Sequence, residues 1–284
     1  MSKYLTPLSL CLWLGLFACR TAPHTEAPER ARSADGLAIA YDVRGAGETT
    51  LVFVHGWACD GSFWREQLDV FAEDFRVVSL DLGGHGASGT DRDRWTLRSL
   101  AQDVQAVADA LELERFILVG HSMGGPVSLE AARLMPDKVS GILCVDSLHN
   151  AELEPPEFTV NQIIEGLRAD FPTAMAAIVQ SGFDADADPA VVAFVRDKAV
   201  AADPAVAIPL IQVLLDLDVR QALSAVTVPV RCINSAAGFA TAIEANRKYA
   251  DFDAVILDAG GHFQHMESPE RFNAEMRKLL AELP

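Results

Sequence analysis

Phe116-Ile-Leu-Val-Gly-His-Ser-Met-Gly-Gly125 is the stretch that decides the fold. Phe116 to Val119 is a strand with no polar face, as expected in a sheet covered on both sides. Gly120-His-Ser-Met-Gly124 follows directly and fits the pattern G-x-S-x-G. Gly124 to Met135 then reads as a helix, stopped before Pro136. A serine between such a strand and helix sits on a sharp turn that requires small neighbours. Gly120, Gly124 and Gly125 supply that space. The turn lifts the Ser122 hydroxyl out at the strand's end, and the helix N-terminus favours negative charge developing there. A glycine-rich turn with a passive serine fits the same letters; the flanking strand and helix favour a nucleophile.

The alternation extends in both directions. Leu37–Val43, Leu51–Val54, Arg76–Leu80, Val139–Val145, Val228–Ile233 and Ala254–Leu257 read as further strands. Gly61–Ala72, Leu97–Leu111 and Glu270–Leu283 read as helices, the second through Leu100, Val104, Val107 and Leu111. Strands alternating with helices predict an α/β fold with a mostly parallel, twisted sheet and helices on both faces. From Leu148 to Thr227 only helical segments appear: Ile163–Leu167, Thr173–Gln180, Ala190–Ala201 and Ala205–Leu217. This block reads as a helical cap, residues 148–227, inserted into a core formed by 35–147 and 228–284.

The N-terminus reads as an address. Lys3 precedes an apolar run, Leu5 to Ala18, too short for a membrane span of about 20 residues. Leu16-Phe17-Ala18-Cys19 resembles a bacterial lipobox, with 1–18 as signal peptide and Cys19 as the lipidated residue. An ordinary secretory signal with an incidental cysteine is the alternative. Arg20, in place of aspartate, favours the outer membrane over the inner. Residues 19–34 are polar and proline-bearing and read as a flexible tether. The expectation is export, with membrane attachment only through this lipid.

The chain has 284 residues, 40 acidic against 23 basic, for a formal charge of −17. Such a surface repels phosphate backbones and anionic headgroups, which argues against nucleic-acid binding. Cys59, Cys144 and Cys232 show no metal spacing and make no disulfide framework; the last two sit in apolar runs as small hydrophobes.

A serine hydroxyl needs a base to become a nucleophile. His262, in Gly260-Gly-His-Phe263 after the final apolar strand, is the candidate, and the order Ser before His suits this class. His55 and His121 read as loop-shaping residues, and His85 lies in a glycine-rich loop. His149 and His265 read as ordinary polar positions, and His24 falls in the tether. An oxyanion needs two N–H donors about 3 Å from the developing charge. The backbone N–H of Met123 is one candidate. The other is the N–H of Trp57, in His55-Gly-Trp57 after a strand, although Trp57 also fits as an apolar pocket wall.

Together these motifs, with Asp81-Leu-Gly-Gly-His-Gly-Ala-Ser88, resemble the α/β-hydrolase superfamily of the esterase, proline-iminopeptidase and C–C hydrolase type, over about Gly36 to Leu283. The resemblance implies a histidine-orienting acid. Most members carry it after the strand equivalent to Val228–Ile233, but here Asn234-Ser-Ala-Ala-Gly238 offers no carboxylate. A minority place it after the preceding strand, which ends at Asp146. Asp146 is therefore the candidate, with a structural strand-end carboxylate as the alternative. Glu244, Asp258 and Asp81 read as too distant or structural. The resemblance implies hydrolysis of a carboxylic ester, lactone or amide of a small, partly apolar substrate through an acyl-enzyme on Ser122, without cofactor or metal. An aminopeptidase using Glu152, Glu154, Glu157 and Asp184–Asp188 is a second reading. A ligand-binding lipoprotein with impaired catalysis is a third.

Overall fold

A computed structural model describes residues 28–153, 157–258 and 260–284. The signal over 1–18, Cys19 and the first part of the expected tether lie outside these residues, as does Glu154.

The chain runs β1 (Glu29–Arg32), β2 (Ala38–Arg44), β3 (Thr50–Val54), α1 (Arg65–Ala72), β4 (Arg76–Leu80), α2 (Leu97–Ala110), β5 (Phe116–His121), α3 (Gly124–Leu134) and β6 (Val139–Val145). Five helices follow: α4 (Glu157–Ala169), α5 (Phe171–Ser181), α6 (Pro189–Val200), α7 (Pro204–Leu215) and α8 (Val219–Ser224). Then come β7 (Val230–Ser235), α9 (Ile243–Asn246), β8 (Phe252–Leu257), α10 (Gln264–Glu267) and α11 (Pro269–Leu280). The eight strands form one sheet in the order β1-β2-β4-β3-β5-β6-β7-β8. All neighbours from β4 onward in that order are parallel; β1 and β2 are antiparallel additions at one edge.

The apolar strands divide their side chains between two cores with the two-residue period of a strand. In β3, Val52 and Val54 pack with α2 and α3, while Leu51 and Phe53 pack with α1 and α11. A third core lies beneath the inserted helices, where Phe171, Met175, Val179 and Val195 meet Phe63 and Phe263.

Part of the expected tether is a strand. Residues 29–32 read Glu-Arg-Ala-Arg, and only Ala31 is buried. The order comes from pairing with β2, not from an apolar pattern, and charged residues suit an exposed edge. The short helix α8 also lacks an apolar period; Asp218 caps it by accepting from the N–H of Arg220 at 3.0 Å. Asp170, Asp188 and Asp203 cap α5, α6 and α7 in the same way, each with proline in the first turn. Much of the acidic excess in this block is thus helix-capping chemistry.

Candidate active site

β3 and β5 are neighbours, and the chain leaves β3 toward β4 on one side and β5 toward β6 on the other. Such a reversal opens a crevice at the C-terminal ends of the strands, where α/β sheets bind ligands. The loop after β3 carries Trp57, and the turn after β5 carries Ser122. Asp146 follows β6, and His262 follows β8.

Among the described non-glycine residues, positive φ occurs at Ala58, Glu112, Ser122, Asp146 and Leu148. Four of the five border this crevice. Backbone held there costs on the order of 1–3 kcal/mol and concentrates at functional sites. Ser122, at φ 51°, is fixed by its N–H to Val145 O at 2.9 Å and by Ser147 Oγ–H donating to Ser122 O at 2.8 Å. Glycine is required beside it: a Cβ on Gly120 would strike the carbonyl of Gly124, and one on Gly124 would strike that of Val54.

His262 Nδ1 lies 2.6 Å from Asp146 Oδ2, so a protonated Nδ1 donates to that carboxylate. The Ser235 N–H donates to Asp146 Oδ1 at 2.8 Å, and His149 Nε2 reaches the same oxygen at 3.4 Å. Burial alone would raise the Asp146 carboxyl. The hydrogen bonds from His149 and His262 outweigh it and hold the group well below the usual carboxylate range. The other acids are engaged elsewhere. Glu244 pairs with Arg247, Asp258 with Arg271, and Asp81 accepts from the N–H groups of Gly61 and Ala87. Where an acid would follow β7, buried Asn234 clips the Ser147 backbone through both its N–H and C=O and donates to Thr241.

The His262 backbone is held at both ends. Its N–H donates to Gly182 O at 2.7 Å, and its carbonyl accepts from His121 Nε2 at 2.9 Å. Burial, then the nearby His265 and His262 imidazoles, keep His121 well below its ordinary value and hence neutral. His55 shapes its loop, donating from Nδ1 to Gly56 O and accepting the Leu82 N–H at Nε2; burial pushes it down to about 4.

Among the described residues, no acceptor meets the backbone N–H of Trp57 or Met123. The Trp57 side chain is a wall and a brace together, its indole donating to Ala207 O at 2.8 Å. Ser122, Met123, Asp146 and His262 all line one open cleft of about 470 Å³. Trp57 shares a smaller cavity with Ser122 and His262. Among the described residues, no three His, Cys, Asp or Glu side chains are grouped to hold a metal ion.

Two histidines read as ordinary from sequence have defined places. His149 touches Asp146, a contact whose signal was the spacing of three residues along the chain. His265 is fully buried between Trp64 and His121, with ring centroids 4.8 and 4.6 Å away, and burial pushes it down to about 3. No pattern in the sequence distinguishes it.

The chain belongs to the α/β hydrolase fold family, whose match covers residues 49–191. It is similar to a pimeloyl-[acyl-carrier protein] methyl ester esterase of Edwardsiella ictaluri, 35% identical over 47% of this chain and 47% of that one. It is also similar to the dihydrolipoyllysine-residue acetyltransferase component of an acetoin cleaving system of Pseudomonas putida, 38% identical over 43% of this chain. That match spans 33% of the relative, so this chain covers a third to a half of these two proteins. Among solved structures, a thermophilic esterase from Thermogutta terrifontis superposes with a TM-score of 0.78 at 23% identity, over 90% of this chain and 99% of that one. An enol-lactonase from Burkholderia xenovorans LB400 gives 0.78 at 24%, over 89% and 100%. These two share the fold.

Proposed function

We propose that this protein hydrolyses carboxylic esters through an acyl-enzyme on Ser122. The observation that carries the reading is the 2.6 Å approach of His262 Nδ1 to a buried Asp146, beside a serine held at positive φ. Asp146 fixes the ring with Nδ1 protonated, leaving Nε2 free to accept a proton. His262 takes the Ser122 proton as Oγ attacks the ester carbonyl. The N–H groups of Trp57 and Met123 donate to the oxyanion. The alcohol departs with the proton from His262. Water then gives a proton to His262 and attacks the acyl carbon; as the intermediate collapses, His262 returns that proton to Ser122 Oγ and the carboxylic acid leaves. The inserted helices act as a cap over this crevice. Esterase and lactonase relatives support the reaction class.

Ser122→Ala abolishes ester turnover and labelling by a fluorophosphonate in the purified protein; persistence of either overturns the reading. The aminopeptidase alternative has thin support. Of its acids with described side chains, Glu152 pairs with Lys248, and only Asp184 lines the cleft. The impaired-binder alternative rested on the missing acid after β7, and the 2.6 Å contact of Asp146 with His262 weighs against it. The lipobox reading supports export and attachment through Cys19. Labelled palmitate is then incorporated by the wild type and not by Cys19→Ala.

A further inference from the structure

Two cavities meet at Ser122, and they differ in size, access and charge. The smaller holds about 80 Å³ and is the more enclosed. Trp57, Met175, Val179, Val195, Ala199 and Phe263 wall it. Met175 and Val195 are each 1% exposed, so this wall is core-like and closed from behind. No Lys, Arg, Asp or Glu lines it. The larger cavity, about 470 Å³, opens to solvent. Leu148, Phe183, Leu214 and Phe239 give it an apolar surface, and Phe239, 66% exposed, stands at its rim. It carries two carboxylates, Asp146 and Asp184, and no Lys or Arg. Ile178 and Gly182 of the α5 end line both.

The order of events in ester hydrolysis assigns each side of the substrate. The acyl group stays on the serine while the alcohol leaves and water takes its place. The leaving side must therefore connect to solvent, and the staying side need not. A closed cavity suits the acyl group and an open cleft suits the alcohol. Water occupies about 30 Å³ per molecule in the liquid, so the closed side admits about three non-hydrogen atoms. The open side is much larger; Asp146 there is partnered by His262 and His149, but Asp184 has no Lys or Arg beside it in the lining, so an anionic alcohol meets an unbalanced carboxylate.

On the serine-hydrolase reading above, we infer that the substrate joins a short acyl group, of about two to four carbons by that volume, to a large, apolar alcohol that is uncharged or cationic. The cap residues Met175, Val179, Val195 and Ala199 set the acyl length, and Asp184 sets the charge preference.

The test uses purified full-length protein and p-nitrophenyl esters from acetate to octanoate. The expected kcat/KM favours acetate to butyrate over octanoate by about 100-fold or more, since each excess methylene in a closed pocket costs at least a several-fold factor. Equal or better turnover of octanoate overturns the inference. A second pair, the acetate esters of 4-hydroxybenzamide and 4-hydroxybenzoate, differs in charge. After correction for intrinsic reactivity, the anionic ester is expected to be slower by about tenfold at low salt, and less so at high salt. Asp184→Asn narrows that gap. Equal turnover of the two esters overturns the charge assignment. Met175→Ala shifts the best acyl length upward; should it fail to fold, Val179→Ala makes the same change more gently. Fluorophosphonate labelling of Ser122 separates the two levels. Labelling with a flat acyl profile overturns this inference alone, and absence of labelling overturns the reading beneath it.

Discussion

The pair formed by Asp146 and His262 has a measurable consequence at the scale of single residues. Asparagine at position 146 keeps the shape but lets the amide stabilise the wrong histidine tautomer. Asp146→Asn is expected to lower kcat by about 10³- to 10⁴-fold with little change in KM. A loss below tenfold in steady-state assays would reduce Asp146 to a strand-end support. Ser122 and His262 were legible as candidates because each lies in a local motif: an apolar strand or glycine pair directly beside the side chain. Asp146 emerged as a candidate only by elimination, since no local pattern distinguishes an orienting acid from any carboxylate ending a strand. The positive φ at Asp146 and Leu148 marks the place but has no sequence signature in non-glycine residues. His149 and His265 were undervalued for a related reason. Burial and contact with an acid depend on folding, not on neighbours along the chain.

At the scale of elements, the strands and long helices follow from period and punctuation. β4 and β6 fall on the residues their apolar runs predict, Arg76–Leu80 and Val139–Val145. Elements held by partners escaped the sequence. β1 has one buried residue, α9 and α10 are four residues each, and α8 is six. Asp188 was read only among the acids of the aminopeptidase alternative, yet Asp188-Pro189 and Asp203-Pro204 are helix starts. Their side chains accept from Ala190 N–H and Ala205 N–H at 2.8 Å each. Removing one such cap costs about 1 kcal/mol. The double variant Asp188→Ala/Asp203→Ala is therefore expected to lose about 2 kcal/mol in urea unfolding, because the two caps are separate and their effects add. Loss of Asp203 also loosens α7, whose Ala207 carbonyl holds the Trp57 indole. Activity should fall with stability in that variant.

The whole molecule carries several histidines that stay neutral because they are buried. Burial pushes His55 down to about 4, and His85 and His265 down to about 3. An unfolded histidine titrates near 6.5. Between that pH and the folded values, the unfolded chain binds protons that the folded chain refuses. Stability is therefore unaffected above about pH 7 and falls as pH drops below 6.5, each histidine adding a slope of about 1.4 kcal/mol per pH unit. Urea unfolding from pH 7.5 to 5 is expected to show this decline, with a shallower slope in His265→Gln. A flat profile would mean that these rings accept protons in the folded state. None of this acid sensitivity was legible in the sequence, which gives the number of histidines but not their burial. The placement of the acid on β6 has a different consequence for the molecule as a lineage. On the proposed mechanism the segment after β7, from Ala236 to Phe239, carries no part of the proton-handling apparatus, yet Ala237, Gly238 and Phe239 line the cleft. Substitutions there fall on what enters and not on how it reacts. Selection, or an engineer, can revise the clientele of this enzyme in that segment while its chemistry is inherited unchanged.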